Sequence, residues 1–189
     1  MKRKGNLMRF RSHAVVIFAV LVGGSLLAAP SQGAAATAQA TVNSISAAGI
    51  GARLGTVTFS DNGGGLLITP KLSGLPPGQH GFHIHEKGDC GPGINEGKQA
   101  AGFAAGGHYD PAHTKKHLGP LSATGHRGDL PVLVVDNQGN ATQPVTAPHL
   151  TVAQIRGRSV MIHAGGDNYS DTPLPLGGGG ARIACGVIR

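Results

Sequence analysis

Aromatic side chains are scarce: the 189 residues contain no Trp, two Tyr and five Phe. After Ala40 no run of Lys and Arg is interleaved with aromatics, so the basic stacking surface of a nucleic-acid partner is missing. There is no internal repeat. A membrane-crossing helix needs roughly 20 apolar residues, and the apolar run at residues 14–29 is shorter and interrupted by Gly23 and Gly24. It follows Lys2, Arg3, Lys4, Arg9 and Arg11 and precedes small residues ending in Ala38-Gln39-Ala40. That is the layout of a secretory signal peptide with an A-x-A cleavage site. Residues 1–40 are therefore expected to be a leader and residues 41–189 a single domain. The Ala34-Ala35-Ala36 run offers an earlier cleavage point, and an uncleaved leader would tether the domain. With no Cys in the leader, lipid attachment through an N-terminal cysteine is excluded.

Once the leader is set aside, the charge is modest. Five of the 16 Lys and Arg fall within it, leaving 11 against 9 Asp and Glu, a net of +2. The strong basic balance is a property of targeting, and no nucleic-acid or stable membrane partner is expected. Export places the domain in the periplasm or outside the cell. Cysteine is limited to Cys90 and Cys185, an even count that in an exported chain favours a disulfide over metal ligation or two buried thiols.

Little of the domain looks helical. Runs rich in Val, Ile, Leu and Thr alternate with Gly, Pro, Asn and Asp clusters, the pattern of an all-β sandwich or barrel. Strands are predicted at residues 41–47, 53–60, 65–72, 80–85, 132–135, 141–145, 159–163 and 183–188. Asp61-Asn62-Gly63 and Asp136-Asn137-Gln138-Gly139 read as turns, and a helical turn is expected near 150–155. Two segments break this rhythm: residues 86–130, and residues 165–181 ending in four glycines. Loops of that length in a compact domain are usually functional or disordered.

Histidine is where the chemistry concentrates. In His83-Ile84-His85 a strand would point both imidazoles to one side and Ile84 to the core, a start for a copper or zinc site. Such pairs are also found as plain surface histidines. His108, His117, His126 and Asp129 follow at spacings of nine, nine and three. Three imidazoles and a carboxylate make a complete tetrahedral zinc set, and closing on an ion could order a loop that has no core of its own. A hydrophilic loop rich in histidine is the plainer reading. His163, ending Val160-Met161-Ile162, is by itself a strand-end histidine.

These segments together resemble a known family. Gly81-Phe82-His83-Ile84-His85, Gly107-His108-Tyr109-Asp110-Pro111, Gly125-His126-Arg127-Gly128-Asp129-Leu130 and the ending Gly180-Ala181-Arg182-Ile183-Ala184-Cys185-Gly186-Val187-Ile188 resemble the ordered motifs of copper/zinc superoxide dismutases. Gly165-Gly166-Asp167-Asn168 is similar to the bacterial exported branch. The resemblance implies an eight-stranded Greek-key β-barrel or sandwich carrying two long functional loops. It implies copper on His83, His85, His108 and His163, and zinc on His108, His117, His126 and Asp129, with His108 shared. Asp167 would orient His83 and His117, Cys90 would pair with Cys185, and Arg182 would sit beside the copper to dock the anion. The implied activity is dismutation of superoxide to dioxygen and hydrogen peroxide, by a monomer or homodimer. No histidine-rich extension near Ala40 suggests a route of copper delivery. His80, ahead of the copper strand, is expected to brace the loop through hydrogen bonds, and His113 and His149 to lie at the surface. Lys115, Lys116 and Arg127 are expected as solvated loop charges.

Overall fold

The computed structural model describes residues 35–189 and, ahead of them, Met1 alone; the basic start and apolar run of the leader lie outside the described residues. Among the described residues eleven strands form: β1 (Thr37–Ser46), β2 (Gly49–Asn62), β3 (Gly65–Leu72), β4 (Gly78–His80), β5 (Phe82–His85), β6 (Gly93–Asn95), β7 (Lys98–Ala100), β8 (Leu133–Val135), β9 (Val145–Ala147), β10 (Ser159–His163) and β11 (Arg182–Val187). One short helix, α1 (Val152–Ile155), begins at a capping box made by Thr151 and Gln154, which satisfies amide groups that a helix start leaves free.

The main sheet is antiparallel in the order β5-β10-β11-β1-β2-β3-β9, and β4 pairs with β8. β4 and β5 are halves of one strand, interrupted at Gly81. There the ladder gives way to bonds with the segment after β10: Gly81 N–H donates to Gly165 O at 2.8 Å and Gly81 O accepts from His163 N at 2.9 Å. β8 turns through Asp136–Asn140, whose backbones bond at 2.9 Å, toward β9 on the far edge of the sheet. Counting β4 and β5 as one and leaving out the β6–β7 hairpin, eight strands curl round on themselves. The chain crosses over β9 and β8 between β3 and β4, and crosses back between β9 and β10. This is the Greek-key arrangement expected.

Period-two burial produces the curl. In β3, Leu66, Ile68, Pro70 and Leu72 are buried and their neighbours are not. Phe59, Phe82, Ile84, Leu133, Val160, Ile162 and Ile188 join them in one core, each large side chain contributing about 1.5–3 kcal/mol on burial. The helical turn near α1 forms where the sequence placed it, whereas Asp61 and Asn62 end β2 and the turn expected from Asp61 falls at Gly63 and Gly64. The strand expected at 141–145 lies later: Ala141 makes only a bridge to Leu72, and Pro144, with no N–H, delays pairing until β9.

The first strand begins earlier than the residue 41 expected for it. β1 starts at Thr37, inside the segment assigned to the leader. Ala38 and Ala40 are buried, and Gln39 exchanges both backbone bonds with Arg189 at 3.0 and 2.9 Å. Ala-Gln-Ala satisfies a signal peptidase's need for small residues, and equally a strand's alternation of small-inward and polar-outward.

Candidate metal centre

β5 carries Phe82 and Ile84 into the core and His83 and His85 to the opposite face, yet all four are fully buried. The loops account for this. On one side β5 pairs with β10, whose last residue is His163. On the other side it receives the middle and the end of the long loop: His85 bridges His108 and His83 bridges Asp129. The stitching is backbone to backbone, with Ile84 N to Gly128 O and Tyr109 N to Ile84 O both at 2.8 Å. Residues that are far apart in sequence therefore enter the site in fixed register.

Two groups result. Ligand atoms of His83, His85, His108 and His163 all lie within 4.8 Å of one another, as do those of His83, His108, His117 and Asp129. His126 stands at the rim of the second group, its Nδ1 3.5 Å from Asp129 Oδ1. His83 enters that group because its ring stacks on His108, with centroids 3.9 Å apart. The residues expected to carry copper and those expected to carry zinc are thus brought to one place, and His108 belongs to both.

The decisive feature is the hydrogen bonding. Among the described residues, six buried side-chain polar atoms lack a hydrogen-bond partner, and all are imidazole nitrogens: His83 Nδ1, His85 Nε2, His108 Nε2, His117 Nδ1, His126 Nδ1 and His163 Nε2. An orphaned buried polar group costs about 1–3 kcal/mol, so six in one cluster fit ligand positions and little else. The opposite nitrogens are held. His83 Nε2 and His117 Nε2 meet the two oxygens of Asp167 at 2.8 and 2.7 Å. His85 Nδ1 meets Gly106 O at 3.0 Å, and His163 Nδ1 meets Gly180 O at 3.2 Å. His108 Nδ1 lies 3.1 Å from Asp129 Oδ1. A ring fixed at one nitrogen presents the other in a defined direction and tautomer. A donor set of imidazoles with one carboxylate suits copper and zinc.

Close packing is required where the second loop covers these rings. Gly177 has φ +72°, and a β-carbon there would overlap Asp167 Oδ1 and approach His117 Nε2 to 2.8 Å. Gly179, in the same glycine run, lies against His163, a β-carbon there meeting its ring at 3.2 Å.

The electrostatics divide the histidines. Burial pushes His163 down to about 4. Burial, reinforced by the neighbouring His108, holds His83 and His85 well below the usual value, and burial also lowers His108. His117 behaves oppositely: burial lowers it, but the adjacent carboxylates of Asp129 and Asp167 prevail and raise it to about 9. Burial alone would raise Asp129 and Asp167, but the surrounding histidines hold both below the ordinary carboxylate range. Four imidazoles are thus kept neutral, the state a metal requires.

A pH effect on the metal-free protein follows. Unfolded histidines take up protons near pH 6.5 while these four resist, so the unfolded state binds more protons as pH falls from about 6.5 towards 4. Stability is lost through that window. His117, raised in the fold, makes its full contribution below pH 6.5 and adds no slope there, and the two aspartates act only below about pH 4. Calorimetry on metal-stripped protein should give a midpoint roughly 5–10 °C lower at pH 5 than at pH 7.

Arg182, first in β11, is held by Gly102 O at 2.7 Å and Gly106 O at 2.8 Å, with its guanidinium 4.2 Å from the Phe103 ring centre. Burial brings it down to about 10, so it stays cationic at neutral pH. Gly106 O therefore serves Arg182 and His85 together. The loop supplying these carbonyls is tied to β11 by the Cys90–Cys185 disulfide, across a sequence separation of 95.

The remaining histidines stand outside the two groups. His80 is buried and braces the site, with Nδ1 2.7 Å from His163 O and Nε2 2.8 Å from Pro76 O. His113 is exposed, and His149 reaches Leu121 O at 3.2 Å. Lys115 and Lys116 are exposed, whereas Arg127 is partly buried and donates to His149 O at 3.3 Å. Sequence reasoning passed over Tyr169 and Asp171. Asp171 accepts from the His117 amide at 2.9 Å, and the only trace in the sequence is a second Asp four residues beyond Asp167.

Comparison with known proteins gives a consistent picture. The family described as copper/zinc superoxide dismutase matches residues 53–188. The chain is 54% identical over 156 residues to superoxide dismutase [Cu-Zn] 2 of Salmonella typhimurium, covering 82% of this chain and 90% of that protein. It is 51% identical over 156 residues to the Cu-Zn superoxide dismutase of Escherichia coli, with the same coverages. Among solved structures it is similar to the Cu/Zn superoxide dismutase from Brucella abortus, with TM-score 0.79, 49% identity and coverage of 82% of this chain and 100% of that one.

Proposed function

The chain belongs to the copper/zinc superoxide dismutase family, and from that premise we propose that His83, His85, His108 and His163 hold copper while His108, His117, His126 and Asp129 hold zinc. The enzyme is an oxidoreductase that uses copper and zinc and converts two superoxide anions and two protons to dioxygen and hydrogen peroxide. The six partnerless imidazole nitrogens carry the assignment of ligands. When bound, copper supplies the one-electron exchange with superoxide, and zinc, which has no redox chemistry, supplies a fixed charge.

The protein's own contribution is orientation, charge and protons. Asp167 orients one ring on the copper side and one on the zinc side with a single carboxylate. His108 Nδ1 and Asp129 Oδ1, 3.1 Å apart, would both serve zinc, so His108 Nε2, on the copper side, would be the atom at which the chain takes up a proton and passes it to the departing peroxide. Arg182, cationic and immobilised by two carbonyls, docks the anion and favours its approach.

Export is part of the same proposal. A disulfide is stable in an oxidising compartment, and the basic, apolar and small-residue order of residues 1–40 is that of a cleaved leader. Because β1 begins at Thr37, cleavage falls earlier than Ala40. Mass spectrometry of the exported protein should find an N-terminus ahead of Thr37; a chain beginning at Thr41 would contradict the pairing of Gln39 with Arg189.

The functional test is metal content and dismutation measured on one preparation. One copper and one zinc per chain with fast turnover is expected. Stoichiometric metal without turnover would overturn the assignment in favour of a metal carrier.

A further inference from the structure

We propose that Tyr169 and Asp171, neither of them a ligand, are positioning residues that form a clasp over segment 117–119 and set how long zinc is retained. The proposal rests on the metal assignment above. His117 is gripped at two points by the loop that follows β10: its Nε2 by Asp167 Oδ1 at 2.7 Å and its backbone N–H by Asp171 Oδ2 at 2.9 Å. Asp171 also accepts from Leu176 N at 3.2 Å, which ties the carboxylate to its own loop. Two residues beyond His117, the Gly119 N–H donates to Asp129 Oδ2 at 3.2 Å.

Tyr169 holds that glycine. A β-carbon on Gly119 would lie 2.7 Å from Tyr169 Cβ and Cγ, so the aromatic side chain rests directly on the backbone. The phenol oxygen accepts from Val132 N at 3.0 Å, and the Tyr169 amide donates to Asp167 Oδ1 at 2.7 Å. The residue thus bridges from the metal-orienting carboxylate, through its amide, across Gly119 to the entry of β8, through its side chain. Tyr169 sits at φ 56°, a left-handed conformation that costs a non-glycine residue of order 1–3 kcal/mol and persists where surrounding contacts impose it.

Release of zinc requires His117 and Asp129 to separate. Asp171 acts on the backbone of the first, and Tyr169 on the amide that supports the second. No side-chain contact of Tyr169 or Asp171 reaches His83, His85 or His163, and the Tyr169 amide bond to Asp167, the carboxylate that also orients His83, is backbone and stays in every variant, so the clasp governs zinc and leaves copper retention unchanged.

The test follows metal transfer from the copper- and zinc-loaded enzyme to an excess of chelator, with zinc and copper timed separately in Asp171→Ala, Tyr169→Ala and Tyr169→Phe. Outer contacts of metal sites typically alter affinity by about 10–100-fold. Zinc should therefore leave roughly tenfold faster from Asp171→Ala and Tyr169→Ala, with copper release within about twofold of the parent. Tyr169→Phe, which keeps the ring on Gly119, should recover most of the retention. With cobalt in the zinc position, the visible bands should broaden or shift in both alanine variants. Zinc release unchanged in both, or copper and zinc accelerated together, would overturn the clasp. A parent enzyme that binds no zinc would instead overturn the metal assignment itself, a failure visible before any variant is compared.

Discussion

Replacing His163 by alanine is expected to abolish dismutation, to below about a hundredth of the parent rate, while leaving about one zinc per chain. Removing an outer contact of a metal site costs about 10–100-fold, and removing a ligand must exceed the lower part of that range. His163 offers an unpartnered Nε2 to the four-histidine group and is fixed there by Gly180 O. It touches none of His117, His126 or Asp129 through the hydrogen bonds that shape the zinc side. Its place at the end of β10 allows truncation without breaking the pairing of Met161 with His83 or Ile162 with Phe82. The measurement is turnover beside separate copper and zinc contents, with circular dichroism to establish the fold. More than a tenth of parental turnover would remove His163 from the copper set. Loss of both metals with an intact fold would mean that the two groups do not load independently.

The second large effect lies outside the site. Changing Cys90 and Cys185 to serine should lower stability by about 4–5 kcal/mol, the chain-entropy value for a loop near 100 residues. For a domain of this size that is a midpoint shift of roughly 10–20 °C. Activity should fall as well, because Cys90 ties to β11 the loop that supplies Gly102 O and Gly106 O. Those carbonyls hold Arg182 at 2.7 and 2.8 Å, and Gly106 O also holds His85. With the loop free, Arg182 loses its fixed direction and kcat/KM should drop several-fold while metal content stays near parental. Full activity with the large stability loss would confine the disulfide to stapling. An unchanged melting temperature would contradict the stated stabilisation.

The polypeptide's own order made much of this legible. Period two in His83-Ile84-His85 separates two imidazoles from a core residue before any fold is known, and the nine-nine-three spacing of His108, His117, His126 and Asp129 marks the loop. Spacing alone, however, allows His113 where it allows His117. The fold separates them because Asp167 and Asp171 meet the ring and amide of His117, while His113 is left exposed at φ 52°. The strand expected from residue 41 starts at Thr37 for a related reason: Ala38 and Ala40 face inward and Gln39 pairs with Arg189, a partner that the local sequence does not show. Tyr169 and Asp171 left no signature, since their partners are backbone amides that no side-chain pattern encodes.

Sequence by itself determined the inventory: which side chains can bind metal, which strands alternate, and which two cysteines can join. These are properties of residues and of their near neighbours. Tertiary structure decided which nitrogen of each ring is tied and which is left for a metal. The tying partner lies elsewhere in the chain, 17 residues away for His163 with Gly180 and 84 for His83 with Asp167, and only the folded barrel brings the two within hydrogen-bonding distance.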